Sequence, residues 1–407
     1  MRPKGTRLAD SPISHNIRAS HYHTERDMQR ISTSPQNLAK SEIETLHHPE
    51  ETTKRSSDNF LDMKTAFKSM EPQLLGLPGT DNALYVKVNT GKSIYRALFD
   101  CGANCLTGLP FTEVSKIDSI FFSHLHFDHI AGFDHFLRMN FDRDGKPIQI
   151  FGPPRTAEIL HHRLQGVLWD RIDGSQGKFL VTEISAENTT TFQMKSSDGF
   201  QSRELVDSKP FTGRVVDNSE IEVRAVTLDH GTPSIGYLLG TKASSVIDTE
   251  KLQAMNLKPG PWLQAVKNME ISPETEVNAG GKNWSVGDLR SQLLTIKTGE
   301  SIGYLTDFRL DGKTFDTIVG TFKGCDVLVC ENNYRDEEAH LAKKNYHITS
   351  SEVGVIASAT QAANLLLFHL SDRYTGNEWF AQLSDVRQAF PNTYLPSEWS
   401  RILNYTD

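Results

Sequence analysis

A dense group of potential metal ligands lies in the segment SHLHFDHIAGFDHF (123–136). His124, His126, Asp128 and His129 form the pattern H-x-H-x-D-H within six residues. Imidazole and carboxylate groups suit zinc and similar divalent ions. The chain has 15 histidines in 407 residues, so chance would produce this pattern about once in a thousand such sequences. Four ligands in one short segment indicate a site for a pair of metal ions.

A pair of divalent ions would support hydrolysis of a phosphodiester. Two such ions can clamp the phosphate, lower the pKa of a water molecule to near neutrality and neutralise charge in the transition state. As a ligand of one of these ions, Asp128 could also accept a proton from that water molecule. The chemistry that this pattern predicts is therefore metal-assisted hydrolysis.

The elements around the motif are consistent with this interpretation. The run FFS before His124 is strand-like, so His124 and His126 project to the same side near the end of a strand. Asp128 and His129 then lie at the turn where the next helix begins. Further strands are predicted in NALYVKVNT, YRALFD and PIQIFG, and helices after His129 and after Pro154.

The second half of the chain repeats this alternation of strands and helices. Strands are predicted over 220–229, 235–240, 301–307, 326–331 and 364–370, and a helix over 350–363. This alternation predicts an α/β protein with helices outside packed sheets. His230, Asp307 and His369 each close or nearly close an apolar run, so all three could meet at one sheet edge.

The N-terminal region differs in composition from the rest. Residues 1–70 are polar and show no sustained hydrophobic period, which predicts a disordered tail with at most a short helix over 57–70. Residues 71–407 are predicted to form one hydrolase domain.

The overall composition excludes some classes of protein. The chain is 37% hydrophobic and 23% charged, as in ordinary globular proteins. It lacks an apolar run of membrane-spanning length, and its start lacks the apolar core of a secretory signal. With only four cysteines, a reducing cytoplasmic location is expected. The net charge of −8 argues against non-specific coating of nucleic acid, so RNA would have to bind a local basic patch.

Together with LFDCG (98–102) upstream, the H-x-H-x-D-H motif resembles the metallo-β-lactamase superfamily. Several downstream segments resemble ribonuclease Z, the endonuclease that trims precursor tRNA, in their order and rough spacing. These segments are IFGPP (150–154), LDHGTPSIGYLL (228–239), LKPGPWLQAVK (257–267), YLTD (304–307), YHITSSEVG (346–354) and LLLFHLSDRY (365–374). The resemblance implies an αβ/βα four-layer sandwich, with two mixed β-sheets and helices outside.

The resemblance also implies a ligand set for two zinc ions, with Mn²⁺ or Fe²⁺ as other candidates. His124, His126 and His230 would bind one ion. Asp128, His129 and His369 would bind the other, and Asp307 would bridge both. Asp100 would orient a ligand histidine, for which the alternative is a turn Asp before Gly102. His347 would act as general acid; its alternative is a helix cap, a role that neighbouring hydroxyl groups fill better.

The resemblance implies contacts to the substrate as well. Ser234 and Arg373 would contact phosphate, although Arg373 could instead form a structural pair. Ribonuclease Z proteins carry a protruding arm that grips tRNA. Here the matching region holds Lys251, Lys258 and Lys267, and the acidic segment NMEISPETEV follows it. Where the family often shows His-Glu-Ala-Thr, this chain has CENNY (330–334) and retains only Glu331.

The predicted function is endonucleolytic removal of the 3′ trailer from precursor tRNA, by a homodimer that does not bind membranes. One alternative keeps the fold and metals but hydrolyses a small phosphodiester or other ester, as a cyclic nucleotide phosphodiesterase, arylsulfatase or lactonase does. Another is a non-catalytic RNA-binding protein, which the intact set of seven ligands disfavours. A flavodiiron redox protein is disfavoured because such proteins have glutamate where His124 stands.

Overall fold

The described part of the chain begins with a short segment that packs against a strand near its C-terminal limit. The computed structural model describes residues 57–172 and 174–403. Two turns of 3-10 helix, Ser57–Asn59 and Met63–Ala66, flank strand β1 (Phe60–Leu61). This strand pairs in parallel with β20 (Thr393–Pro396), the last strand of the described residues. Residues 57–70 therefore form short 3-10 turns and strands instead of the one short helix that the sequence allowed.

This segment is also part of the folded domain. Met63, Phe67 and Met70 are buried in the core, so the domain begins earlier than the boundary predicted at residue 70. The physical reason is that spaced apolar side chains in a polar sequence are enough to dock a short segment on an existing core. The predicted disordered tail otherwise falls on residues 1–56, outside the described residues, and stays a prediction.

The first large sheet contains eight strands whose order in space follows their order in the chain. Its central strands pair in parallel and its outer strands pair in antiparallel fashion. The strands are β2 (Met70–Leu75), β3 (Ala83–Asn89), β4 (Ile94–Phe99), β5 (Ser119–Phe121), β6 (Ile148–Gly152), β7 (Lys178–Ile184), β8 (Asn188–Lys195) and β9 (Glu204–Pro210). The helices between them are α1 (Phe111–Val114), α2 (Phe127–Ile130), α3 (Phe133–Asn140) and α4 (Thr156–Leu164).

The second large sheet also has eight strands, with the order β1-β20-β19-β18-β17-β12-β11-β10. Its remaining strands are β10 (Arg214–Asp217), β11 (Ile221–Asp229), β12 (Pro233–Thr241), β17 (Ser301–Leu305), β18 (Val327–Glu331), β19 (Asn364–Phe368) and β20 (Thr393–Pro396). The later helices are α8 (Gly312–Phe322), α9 (Ala339–Asn345), α10 (Ser350–Thr360), α11 (Gly376–Ala389) and α12 (Ser400–Leu403).

A folded insertion separates β12 from β17, although these two strands are paired in the sheet. It contains β13 (Ser244–Ile247), α5 (Thr249–Ala254), α6 (Trp262–Lys267), β14 (Glu276–Ala279), β15 (Lys282–Ser285), α7 (Val286–Leu293) and β16 (Leu294–Lys297). The insertion has an apolar core of its own, which includes Leu252, Trp262 and Leu289. It occupies the region where the sequence predicts an RNA arm.

Alternating side chains divide the first sheet between two cores. In β4, Phe99 faces the core between the sheets and Leu98 faces the helices on the other side. The ring of Phe99 lies 5.5 Å from that of Tyr304 in β17. Tyr237 in β12 donates its hydroxyl hydrogen to the carbonyl of Phe122 at 2.8 Å. The layers are therefore helix, sheet, sheet and helix, which confirms the predicted four-layer α/β fold.

No helix in the described ranges, 57–172 and 174–403, is both long and apolar enough to cross a lipid bilayer.

Candidate metal centre

Asp100 and several of the predicted ligands lie where strands of both sheets end. Asp100 follows β4 and His124 follows β5 in the first sheet, while His230, Asp307 and His369 follow β11, β17 and β19 in the second. Ligand sites in α/β proteins commonly form beyond the carboxyl ends of parallel strands. Residues from distant parts of the chain therefore meet at one edge of the sandwich.

Three of these residues have an unusual backbone conformation. Asp100, Asp307 and His369 adopt left-handed φ values of 56°, 51° and 50°. This conformation costs a residue other than glycine roughly 1–3 kcal/mol and often marks functional positions. Each strand thus turns abruptly at its last residues, with the side chain held at the sheet edge.

The candidate ligands form two clusters that share Asp307. His124, His126 and His230 form the first, with ring nitrogens within 4.8 Å of one another. The Oδ2 atom of Asp307 lies 3.7 Å from Nε2 of His124 and 3.4 Å from Nε2 of His230.

The second cluster contains Asp128, His129, Asp307 and His369. Oδ2 of Asp128 lies 3.1 Å from Nε2 of His129 and 3.4 Å from Nε2 of His369. Asp307 approaches the same two rings, at 3.6 Å through Oδ2 and 3.5 Å through Oδ1. The carboxylate of Asp307 therefore stands between the two clusters.

Two buried ring nitrogens in the clusters lack a hydrogen-bond partner. Nε2 of His124 and Nε2 of His129 are inaccessible to solvent, and neither makes a hydrogen bond. Burying a polar atom without a hydrogen bond costs free energy of folding, so such atoms are rare and need a specific explanation. The nitrogen and oxygen donors around them match the preferences of zinc-like ions. The residues at this edge fit the binding of divalent metal.

The protonation states of the clusters also suit metal ligation. Burial lowers the pKa of His124, as does the nearby charge of His129, so this imidazole is neutral. Burial would raise the pKa of Asp128, but the adjacent imidazole rings of His129 and His369 hold it below its ordinary range. Burial would lower the pKa of His129, but the carboxylates of Asp100 and Asp307 raise it. A cation that binds here must displace the proton of His129.

Asp100 orients His129, a member of the second cluster, through a hydrogen bond. Its side chain is fully buried, and Oδ2 accepts a hydrogen bond from Nδ1 of His129 at 2.7 Å. The same oxygen accepts from the hydroxyl groups of Ser123 at 2.7 Å and Tyr304 at 2.8 Å. The other oxygen, Oδ1, accepts from the backbone N–H of Ser123 at 2.7 Å. This places the Nδ1 proton of His129 towards Asp100 and leaves Nε2 for the cluster.

Replacing Asp100 with asparagine should weaken metal binding. Both carboxylate oxygens accept hydrogen bonds, so either orientation of the amide leaves a donor facing its NH₂ group. Loss of such a partner of a ligand histidine typically costs 10- to 100-fold in affinity or activity. Competition with a chromophoric chelator would measure this. The control is Asp134→Asn, which alters an exposed pair with Arg163. Equal metal affinity in the two variants would contradict the role of Asp100.

A histidine–glutamate pair lies next to the clusters. Nδ1 of His347 is 2.6 Å from Oε2 of Glu331, whose other oxygen accepts from the backbone N–H of Phe308 at 3.0 Å. Burial would lower the pKa of His347, but the fully buried Glu331 carboxylate raises it to about 9. His347 therefore carries a proton at neutral pH, which is the state that a general acid needs.

A cleft of about 440 Å³ connects these groups to solvent. Its walls include His126, Asp128, His347 and His369, together with Arg373. The reactive side chains therefore line one accessible space.

Comparison with known proteins identifies the family. A model of the beta-lactamase superfamily domain matches residues 95–251. Ribonuclease Z of Deinococcus radiodurans is 36% identical over 328 residues, which cover 81% of this chain and 98% of that protein. The chain belongs to the ribonuclease Z family. Ribonuclease Z of Methanocaldococcus jannaschii is 31% identical over 288 residues, 70% of this chain and 79% of that protein. A solved long-form RNase Z from yeast matches with a TM-score of 0.48 at 15% identity, covering 76% of this chain and 39% of that one.

In this ribonuclease Z family member, most of the predicted site residues come together. All seven predicted metal ligands lie in the two clusters, Asp100 contacts His129, and His347 lines the cleft. Their roles in ligation and catalysis stay predictions.

Of the two residues predicted to contact phosphate, one is buried and the other lines the cleft. Ser234 is fully buried in β12, with its hydroxyl group 3.4 Å from the carbonyl of Thr306. The predicted phosphate contact through Ser234 is wrong for this arrangement, because the strand turns its side chain to the interior. Arg373 does line the cleft, and its guanidinium lies 4.1 Å from the ring centre of Tyr334. Its contact with phosphate stays a prediction.

The three lysines of the predicted RNA arm lie on the insertion between β12 and β17. Lys251 is in α5, Lys258 follows that helix, and Lys267 ends α6; all three are exposed. Nζ of Lys251 is 3.4 Å from Oδ2 of Asp248. Residues 244–297 contain six Lys or Arg and six Asp or Glu, so the insertion has no formal net charge.

Several supporting residues were not predicted from the sequence. Ser123 and Tyr304 hold Asp100, and Nδ2 of Asn333 lies 3.2 Å from Nδ1 of His369. Asn333 stands in the CENNY segment, so the departure from the family pattern there was a signal. Glu331, the residue retained in that segment, has no role in the sequence-based prediction. Nothing local marks Ser123 or Tyr304, because both act across large sequence separations.

Proposed function

We propose that this protein is a metal-dependent endoribonuclease that removes the 3′ trailer from precursor tRNA. The observation that carries the proposal is its 36% identity over nearly the whole length of a ribonuclease Z. The site supports the same reaction, since two clusters of potential metal ligands and a protonated histidine line one cleft. The homodimeric state that the resemblance implies and the cytoplasmic location expected from the four cysteines also belong to this proposal.

Two zinc ions are the cofactors that we propose. One ion would be held by His124, His126 and His230, and the other by Asp128, His129 and His369. Asp307 would contribute to both sites. Ions bound there would supply Lewis acidity and a water molecule of lowered pKa.

The protein's own residues would then handle the protons. Asp128 is ionised and its side chain is 44% exposed towards the cleft, so it can accept a proton from the attacking water. His347 would donate its proton to the leaving oxygen when the phosphorus–oxygen bond breaks. Glu331 would keep His347 protonated and oriented, since its buried carboxylate accepts from Nδ1. Arg373 would contact the substrate phosphate through its guanidinium group.

Lysines of the insertion should contribute to RNA binding. Replacing Lys251, Lys258 and Lys267 together with alanine should weaken binding of precursor tRNA and leave turnover of a small diester unchanged. The slope of log affinity against log salt concentration should become shallower by about one for each phosphate that the variant no longer neutralises. Filter binding at several salt concentrations measures both. The control replaces Lys92, Lys146 and Lys178, which are exposed outside the insertion. Equal salt slopes in the two triple variants would remove these lysines from the RNA interface.

The choice of substrate class has a direct test. The metal-loaded protein is incubated with precursor tRNA and, separately, with bis-(p-nitrophenyl) phosphate, with His126→Ala beside each. We expect trailer removal by the wild type and none by the variant. Turnover of the diester alongside intact precursor would favour the small-molecule alternative, to which the lack of net charge on the insertion also gives some support.

A further inference from the structure

One peptide segment touches both the candidate metal ligands and the candidate acid. Tyr346 follows α9 in a left-handed conformation, with φ of 58°. Its carbonyl accepts a hydrogen bond from Nδ1 of His230 at 2.8 Å, which leaves Nε2 of His230 for the first cluster. The next residue is His347, whose ring centre lies 4.8 Å from that of His230. A shift of Tyr346 would therefore disturb His230 and His347 together.

The ring of Tyr346 is held by two other segments. A Cβ atom on Gly231 would lie 3.2 Å from the ring, so this position keeps the close approach that a glycine permits. The guanidinium carbon of Arg309 lies 4.8 Å from the ring centre, within the range of a cation–π contact.

Arg309 also joins the ends of two strands. Its guanidinium group pairs with Oδ2 of Asp229 at 2.8 Å, and its backbone N–H donates to the carbonyl of Asp229 at 2.8 Å. Oδ1 of Asp229 accepts from the N–H of Gly231 at 2.9 Å, on the far side of His230. Arg309 itself lies two residues after Asp307. Segments 229–231, 307–309 and 346–347 thus meet at one side chain.

We propose that Arg309 is a positioning residue that fixes His230 and His347 relative to each other, through Asp229 and Tyr346. A planar guanidinium group can pair with a carboxylate in its plane while its face lies against a ring, which an ammonium group cannot reproduce. Arg309 is not among the residues that line the cleft, so it acts through its neighbours. The inference rests on the proposed function only for the role of His347.

The test compares Arg309→Met and Arg309→Lys with the wild type. Arg163→Met is the matched control, because Arg163 also pairs with a carboxylate, 3.1 Å from Asp134. We expect Arg309→Met to lower metal affinity by about 10-fold, the lower end of the usual loss for a direct partner of a ligand, because Arg309 acts one contact further out. Hydrogen exchange of residues 343–349 in the metal-free protein should quicken. The kcat for precursor tRNA should fall while KM stays unchanged, and Arg309→Lys should recover part of each loss.

Two results would overturn the proposal. In one, Arg309→Met matches Arg163→Met in metal affinity, hydrogen exchange and kcat at equal thermal stability. In the other, Arg309→Met raises only the KM for RNA, which would make Arg309 an RNA contact. Metal affinity and hydrogen exchange do not depend on the substrate. A wild type that leaves precursor tRNA intact would therefore contradict the proposed function without deciding the role of Arg309.

Discussion

Replacing Asp307 with asparagine should empty both metal clusters at once and abolish hydrolysis. The buried carboxylate oxygens lie 3.4 to 3.7 Å from ring nitrogens of four histidines. Those histidines are His124, His129, His230 and His369. Burial would raise the pKa of Asp307, but His369 and His129 hold it well below its ordinary range. An amide in this position would remove the one negative charge that both clusters share.

The loss of metal affinity and of activity should exceed the 10- to 100-fold loss expected for a residue that is hydrogen-bonded to a ligand, such as Asp100. Elemental analysis after gel filtration gives the metal content, and trailer cleavage gives the activity. Asp316→Asn, at an exposed position of α8, controls for the general effect of removing a carboxylate. If Asp307→Asn kept a full complement of metal, Asp307 would not be a shared ligand.

Replacing His347 with alanine should produce a different defect. The kcat should fall by about 10²- to 10⁴-fold, the usual contribution of a general acid, while metal content stays unchanged. Asp307, Glu331, His347 and His369 also lie close enough together to hold a metal ion. Loss of metal in His347→Ala would therefore assign His347 as a ligand and contradict its role as an acid.

The same residue predicts a pH dependence. Against the effect of burial, Glu331 raises the pKa of His347 to about 9. The acid form is present below that pKa and is lost as pH rises through it, so activity should decline on the alkaline side. Cations in the adjacent clusters oppose the proton by repulsion, so the decline should begin at or below pH 9. Glu331→Gln removes the carboxylate and should shift this limb to lower pH. Coincident profiles of kcat/KM for wild type and Glu331→Gln would contradict the pairing.

Much of the fold could be predicted because its central strands are short apolar runs. The predicted strand over 326–331 corresponds to β18 (Val327–Glu331), in which all five residues are buried. The predicted helix over 350–363 corresponds to α10 (Ser350–Thr360). Strands of this kind carry their signal locally, since burial on both faces requires continuous apolar residues.

Two strands that were not predicted, β8 and β9, lack such a local signal. β9 is exposed at all seven residues, and β8 reads NTTTFQMK with only two buried positions. These strands form by pairing along the edge of an existing sheet. Their sequences therefore show neither a run of apolar residues nor an alternation of apolar and polar residues. For α11 the signal existed, because Thr375 and Glu378 form a capping box at its start.

The site shows the same division between local and distant signals. The ligands of the first motif could be predicted because four of them share six residues. Tyr304 reaches Asp100 across 204 positions, and only the packing of the two sheets brings them together. Ser234 shows the opposite error, since a hydroxyl group near a ligand in sequence proved to face the interior.

The most direct test of the proposed function is to map the cleavage of a precursor tRNA at single-nucleotide resolution. The purified protein is stripped of metal, assayed, and assayed again after zinc is restored, with Asp307→Asn in parallel. We expect one cut at the start of the 3′ trailer, made only by the zinc-restored wild type. An equal cut by the stripped protein or by Asp307→Asn, or an uncut precursor in every sample, would contradict it.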